Sequence, residues 1–369
     1  MSSCAMTKVL SALRLNRYGL RSVVVLSFLA FLALTAGLQA QEGLQQIANL
    51  GQCKLESGQV IEDCRVGYRT YGHLNAAADN AVLVPTWLYG NSGDLASLFG
   101  DGISPQQLID TGKFYGIAID AFANGVSSSP SNSTKQHGTN FPAITLRDSV
   151  NAHYRVLTEV LHLKHLHAVV GLSMGGEQAF DWSVMYPKFF DLAVPILGSP
   201  RPTSYDLHVK AIQLESIEGD PGYAQGHYTA EPALKLANLI GTLVVTTPEF
   251  RNRETPRDKI ADFIAHAEGP VALDANDRVW QLKAIMKQDV VGPGRTLEDV
   301  ARSTPVHFLV IVSARDHLVN PEPALDWANA TSAPTYISAG DCAHLIMTCD
   351  AEGVSSRVRP FLLTGKVPQ

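Results

Sequence analysis

Charge is scarce in this chain, and cysteine is scarcer. Of 369 residues, 17% are charged and five are Cys. There is no Cys-x-x-Cys pair and no His-Glu-x-x-His, so the usual spacings of a zinc or dithiol site are missing. Neither a metal nor a cofactor is expected. No Lys/Arg run builds a phosphate-tracking stripe, and the net charge is −6, which argues against a nucleic-acid partner. Internal repeats and long low-complexity segments are also lacking, apart from a local Ser/Pro/Asn-rich loop at 127–133. What the chain does have is apolar material, at 46%. That excludes disorder for the bulk of the chain and suffices for one large α/β domain or two ordinary ones.

The first forty residues differ from the rest. They hold Lys8, Arg14, Arg17 and Arg21 and no acid, then an apolar run over 23–36, then Leu38-Gln39-Ala40 before Gln41. A basic start, an apolar middle and a small residue at the cut read as a secretory signal peptide over 1–40. The competing reading is a membrane anchor, since the uncharged stretch 22–40 approaches spanning length, although its apolar centre is short. Cleavage would leave 329 residues with 25 basic and 35 acidic side chains, secreted or periplasmic and not stably inserted in a membrane. Four cysteines would then remain. If Gly58-Gln59 is a hairpin turn, Cys53 and Cys64 face each other across it and are placed for a disulfide. Cys342 and Cys349 could close a second, smaller loop, and an oxidising compartment permits both. The alternative is four buried thiols.

Short β-branched runs at 81–84, 115–119, 167–171, 192–197, 306–312 and 335–338 read as buried strands. Helical patterns at 146–163 and 176–185 alternate with them, which implies a mostly parallel sheet covered on both faces. Residues 200–302 break this rhythm, with candidate helices at 234–239, 257–266 and 279–287. They read as a helical insertion over a core made of 41–199 and 303–369.

The most informative stretch is His167-Ala168-Val169-Val170-Gly171-Leu172-Ser173-Met174-Gly175-Gly176. An apolar strand enters Gly-x-Ser-x-Gly and a helix follows. The glycines remove Cβ atoms that would clash at so sharp a turn, and the helix aims its first N–H groups at the serine oxygen. Ser173 is therefore the candidate nucleophile. A serine hydroxyl needs a base, and the base an orienting carboxylate, in the chain order Ser, acid, His. Asp316 follows the 306–312 strand, and His344 follows the 335–338 strand. Asp341 and Asp350 flank His344 and are alternative acids. His317 adjoins Asp316 and reads as a solvated loop residue, and Asp120 as a group satisfying backbone donors. His162, His165 and His167 precede the nucleophile and lack a ligand-rich partner for a metal. The oxyanion donors would be the N–H groups of Met174 and, from the loop Pro85-Thr86-Trp87-Leu88-Tyr89-Gly90, of Leu88 or an immediate neighbour.

At this point the sequence resembles the α/β-hydrolase superfamily, and within it the homoserine O-acetyltransferase-like branch. The resemblance rests on Val66-Gly67-Tyr68-Arg69-Thr70-Tyr71-Gly72-His73-Leu74-Asn75, Tyr115-Gly116-Ile117-Ala118-Ile119-Asp120 and Phe141-Pro142-Ala143-Ile144-Thr145-Leu146-Arg147-Asp148. It continues through the serine turn and Leu236-Ala237-Asn238-Leu239-Ile240-Gly241. It implies an α/β-hydrolase fold with a helical lid, the same Ser/Asp/His assignment, and a possible homodimer. The departures bear on the substrate. Where the resemblance calls for an Arg that holds a substrate carboxylate, this chain has Asn238. Where it calls for an Asp that holds an ammonium, it has Leu345. A zwitterionic amino acid would then leave both of its charges unpaired.

Three functions follow as expectations: an exported serine hydrolase acting on an ester or related small acyl substrate, an O-acyltransferase to a small alcohol or amine, or a non-catalytic protein on this fold. The first leads, because acetyl-CoA is a cytoplasmic metabolite and water is available everywhere. Trp87, Tyr89, Asn238 and Leu345 are the candidate pocket residues.

Overall fold

Branched apolar runs become strands here because both faces of the pleat are covered. The computed structural model describes residues 42–367; the expected signal peptide, 1–40, lies outside them. The strands are β1 (Gln46–Lys54), β2 (Val60–Tyr71), β3 (Ala81–Pro85), β4 (Phe99–Gly100), β5 (Ile109–Asp110), β6 (Tyr115–Ile119), β7 (Leu166–Leu172), β8 (Phe190–Ile196), β9 (His307–Phe308), β10 (Val310–Ser313) and β11 (Thr335–Ser338). The helices are α1 (Leu146–Arg155), α2 (Met174–Met185), α3 (Ser204–Glu218), α4 (Lys235–Val244), α5 (Pro248–Glu254), α6 (Ile260–Ala267), α7 (Ala275–Ile285), α8 (Leu297–Ser303), α9 (Glu322–Thr331), α10 (Ile346–Cys349) and α11 (Ala351–Thr364).

The main sheet runs β1-β2-β6-β3-β7-β8-β10-β11, with β9 also alongside β8 and β4-β5 a separate pair. β1–β2 and β2–β6 are antiparallel; from β6 onward every pair is parallel. The period of two sends Leu83, Ile117 and Val169 to one face and Val82, Ala118 and Val170 to the other. The first face packs on α1, α2, α8 and α9 through Val150, Phe180, Val300 and Trp327. The second packs on α11 through Val354, Val358 and Phe361. Among the described residues, no helix is long and apolar enough to cross a membrane.

Three expectations are corrected in detail. The opening hairpin turns at Glu56-Ser57, not Gly58-Gln59. Gly58 N–H donates to Leu55 O, and Gly58 itself takes the left-handed conformation at φ 82°. Cys53 is therefore paired with Ile61 and Cys64 with Gly51, not with each other. Register shifts between Asn49 and Cys53 bring the two sulfurs together all the same, and Cys53–Cys64 is bonded with Cα atoms 5.6 Å apart. Cys342–Cys349 is bonded too, with Cα atoms 6.1 Å apart. Second, the helix expected over 146–163 opens with a capping box between Thr145 and Asp148 but loosens to a π-helical turn, Val156–Val160. That turn is rich in β-branched residues, and Thr158 Oγ1 bonds back to Tyr154 O at 2.8 Å. Third, the segment between β8 and β9 carries α3, which its sequence did not announce. The buried positions of α3 mix Lys210 and Gln213 with Val209 and Ile217, so no apolar period stands out. α7 starts earlier than expected because Asp274 caps it, accepting from Asn276 and Asp277 N–H.

Candidate active site

The serine turn is tight because two backbones nearly touch around it. A Cβ on Gly171 would run into the Gly175 carbonyl, and one on Gly175 would lie 2.5 Å from Pro85 O. Ser173 itself sits at φ 54°, ψ −125°, between β7 and α2, a conformation that costs a non-glycine residue about 1–3 kcal/mol. Its N–H donates to Ile196 O at 2.8 Å, which fixes the turn to the neighbouring strand.

Asp316 lies in the turn that ends β10. Its Oδ1 accepts the Leu318 and Val319 N–H groups at 2.8 and 3.1 Å, and its Oδ2 is 2.7 Å from His344 Nδ1. His344 Nε2 is 2.8 Å from Ser173 Oγ. The Asp316 side chain is 1% exposed and that of His344 8%, so the line is shielded from water. The His344 loop is tied to the inserted helices. His344 N–H donates to Val245 O at 3.1 Å, Thr247 Oγ1 donates to Asp341 O at 2.6 Å, and Arg253 pairs with the Asp341 carboxylate. The disulfide Cys342–Cys349 brackets the same loop.

The other candidates lie elsewhere. Asp341 is engaged by Arg253, and Asp350 accepts from Tyr336 OH at 2.7 Å. Asp120 is buried and accepts from Ser92 and Asn124. Burial raises its pKa, and those donors oppose the rise. His165 pairs with Asp191, and His167 bonds to Leu362 O at 2.6 Å.

Two glutamines that were not singled out from the sequence set the loop facing Ser173. Gln178, four residues along the helix from Met174, donates to both Thr86 O and Met174 O at 3.1 Å. Gln281 on α7 accepts the Tyr89 N–H at 2.8 Å and donates to Phe122 O at 3.1 Å. The Tyr89 N–H is thereby occupied, while among the described residues the Leu88 N–H makes no hydrogen bond and is left as the donor expected from this loop. The helical spacing from Met174 was a legible signal for Gln178. Gln281, 192 residues from Tyr89, left none.

A mainly apolar cavity of about 570 Å³ opens on Ser173 and His344. All four candidate pocket residues, Trp87, Tyr89, Asn238 and Leu345, line it. Asn238 Nδ2 donates to Ala233 O and Gly269 O at 3.3 and 2.8 Å, so it holds α4 in place and leaves only Oδ1 without a partner. Gln213 and Arg278 also line the cavity, both buried, each with an unpartnered side-chain atom. Burial pushes the Tyr89 phenol up to about 12, against the pull of Arg278 beside it.

Comparison with known proteins follows this geometry. A family model for the alpha/beta hydrolase fold matches residues 88–348. A probable esterase of Corynebacterium glutamicum is 36% identical over 191 residues, which cover 51% of this chain and only 54% of that relative's length. The homoserine O-acetyltransferase of Moorella thermoacetica is 31% identical over 305 residues, covering 73% of this chain and 81% of that enzyme. The solved structure of the acetyl esterase MekB superposes with a TM-score of 0.79 at 26% identity, covering 88% of this chain and 98% of that one. The fold, the serine turn and these relatives together establish that the chain belongs to the α/β hydrolase family, in the branch that includes the homoserine O-acetyltransferases.

Proposed function

We propose that this chain is an exported serine esterase that cleaves a small ester through an acyl-enzyme. The observation that carries the reading is the hydrogen-bonded line from Ser173 through His344 to Asp316 at the wall of an apolar cavity. In this reading Ser173 Oγ attacks the acyl carbon while His344 Nε2 takes its proton. His344 then protonates the leaving alkoxide. Asp316 holds the imidazole tautomer and stabilises its cation. The N–H groups of Met174 and Leu88 receive the oxyanion. Water, deprotonated by His344, then releases the acid and restores Ser173.

Water is favoured over an amino-acid acceptor chiefly because an ammonium would find no counter-charge at Leu345. Asn238 has spent its amide donors on backbone carbonyls, and Leu345 carries no charge. Export is supported by the N-terminal sequence pattern and by two disulfides. The similarity to a homoserine O-acetyltransferase favours acyl transfer as the second reading.

The test compares p-nitrophenyl acetate with acetyl-CoA plus homoserine. Ester hydrolysis, fluorophosphonate labelling of the wild type and no labelling of Ser173→Ala are expected. Homoserine-dependent release of CoA in place of ester hydrolysis would reverse the order of the two readings.

A further inference from the structure

We propose that the ester taken by this site carries a free carboxylate on the part that occupies the cavity, and that Arg278 binds it. The inference rests on the hydrolase reading for the ester and on the cavity for the charge.

Arg278 projects from α7, is 5% exposed and lines the cavity that opens on Ser173. Its Nε has no partner, and among the described residues no carboxylate lies within ion-pair distance of its guanidinium. Its neighbour is Tyr89, with the guanidinium carbon 5.2 Å from the ring centroid. A neutral phenol does not cancel the charge. The acids nearby are committed elsewhere. Asp277 accepts from Ser131 N–H and Oγ at 2.9 and 2.6 Å, and Asp274 from Tyr228 OH and the cap of α7. Glu231 hydrogen-bonds to Asp274 and the Ala275 N–H; burial raises its carboxyl, and the charge of Arg278 pulls weakly the other way without an ion pair between them.

Lys210, the other buried cation of the inserted helices, is acted on by several carboxylates, whereas Arg278 acts on Glu231 without forming an ion pair. Lys210 has Glu177 and Asp206 beside it. A buried cation without an ion-pair partner is costly, and the cost is recovered when an anion pairs with it directly. The planar fork of Arg suits a carboxylate held by two parallel bonds, and the apolar walls strengthen the pair. Asn238 cannot substitute for it, since only an acceptor atom of its amide is free. The orphan acceptors Gln213 Oε1 and Asn238 Oδ1 call for donors and leave the question of ligand charge to Arg278.

The test uses matched ester pairs on the full mature chain. p-Nitrophenyl half-esters of succinate, glutarate and adipate are compared with neutral p-nitrophenyl alkanoates of equal length. Acetoxy carboxylic acids compared with alkyl acetates place the charge on the alcohol side instead. Wild type is expected to favour one charged member over its neutral match in kcat/KM, and Arg278→Met to lower that ratio about 100-fold, with Arg278→Lys between them. Equal ratios in wild type and Arg278→Met would overturn the proposal; if Arg278→Met does not fold, Arg278→Gln serves in its place. A second measurement needs no turnover: titration of Ser173→Ala, with and without Arg278→Met, with glutarate by calorimetry. Heat that depends on Arg278 is expected, and absence of binding by any of the three dicarboxylates at millimolar concentration would overturn it. If no ester of either kind is cleaved, the hydrolase reading fails, and the calorimetry still decides the role of Arg278.

Discussion

The strand ends of the sheet and the helices α3, α4, α6 and α7 between β8 and β9 face the same cavity but are built differently. At the strand ends, Ser173 and Asp316 are fixed by backbone a few residues away, while His344 takes its hold from Val245 O in the inserted segment. Ser173 is pinned by the turn it occupies, and Asp316 by the N–H groups of Leu318 and Val319. The inserted helices hold their groups by distant contacts, as Gln281 holds Tyr89. They also leave large apolar side chains in solvent: Leu243 is 75% exposed and Leu236 59%. The difference separates two tasks. Local geometry fixes the chemistry, while long-range packing shapes what the chemistry receives.

If that division holds, changes at the strand ends should act on turnover with little effect on folding. Ser173→Ala is expected to cut ester kcat by about 10⁶-fold, because the rest of the line has nothing to activate without its nucleophile. The melting temperature should stay near that of wild type, since Ala keeps the backbone at φ 54°. Residual turnover within a factor of ten of wild type would remove Ser173 from the mechanism. Asp316→Asn should cost about 10⁴-fold, through the wrong His344 tautomer, with KM little changed. If Asp341→Asn or Asp350→Asn gave the larger loss, the acid would have to be reassigned.

The same division explains how much the sequence made legible. Strand positions and the serine turn could be read because each is dictated by a few neighbouring residues: a branched run, two glycines, a helix start. The positions of Asp316 and His344 followed from chain order. The hairpin register could not be read, because a turn two residues off and a bulge near Gly51 leave Cys53 opposite Ile61 yet still bring its sulfur to Cys64. Helix α3 was hidden by Lys210 and Gln213 at buried positions. The charge in the cavity was hidden as well, since Arg278 in sequence is one arginine among many until the fold buries it.

A third outcome concerns the core. Asp181 on α2 is buried, and burial pushes its carboxyl up to about 8, with Arg147 opposing. The folded protein then holds a proton that the unfolded chain releases near pH 4. A group whose folded pKa is raised contributes stability at low pH that is lost as pH rises between the two values. Between pH 4 and 7 the loss from this group is about 4 kcal/mol. Asp181→Asn removes it, so the variant should gain on wild type steadily from pH 5 to pH 8 in urea midpoints. A constant difference across that range would show that Asp181 does not titrate with folding.

The smallest expected effect is the one aimed at the comparison itself. Gln281 belongs to the inserted helices, yet it acts on the strand-end loop, accepting the Tyr89 N–H and donating to Phe122 O. It is a positioning residue, touching no reacting atom. Gln281→Leu keeps the volume but frees the Tyr89 N–H and leaves the Phe122 carbonyl without this donor. The loop carrying the Leu88 N–H should then wander by a fraction of an ångström. Losing an oxyanion donor outright costs about 10²–10³-fold, and loosening one should cost about 10-fold. The loss should fall on kcat rather than KM, because the oxyanion forms only in the transition state. A structural role alone would lower the melting temperature and leave the kcat of the folded fraction intact. If instead KM rises and kcat holds, Gln281 shapes the pocket like its neighbours on α7, and the separation of chemistry from reception extends to every inserted residue but Val245. If kcat falls, the insertion reaches into the chemistry at Tyr89 as well as at His344, whose N–H donates to Val245 O, and the division drawn above has two exceptions.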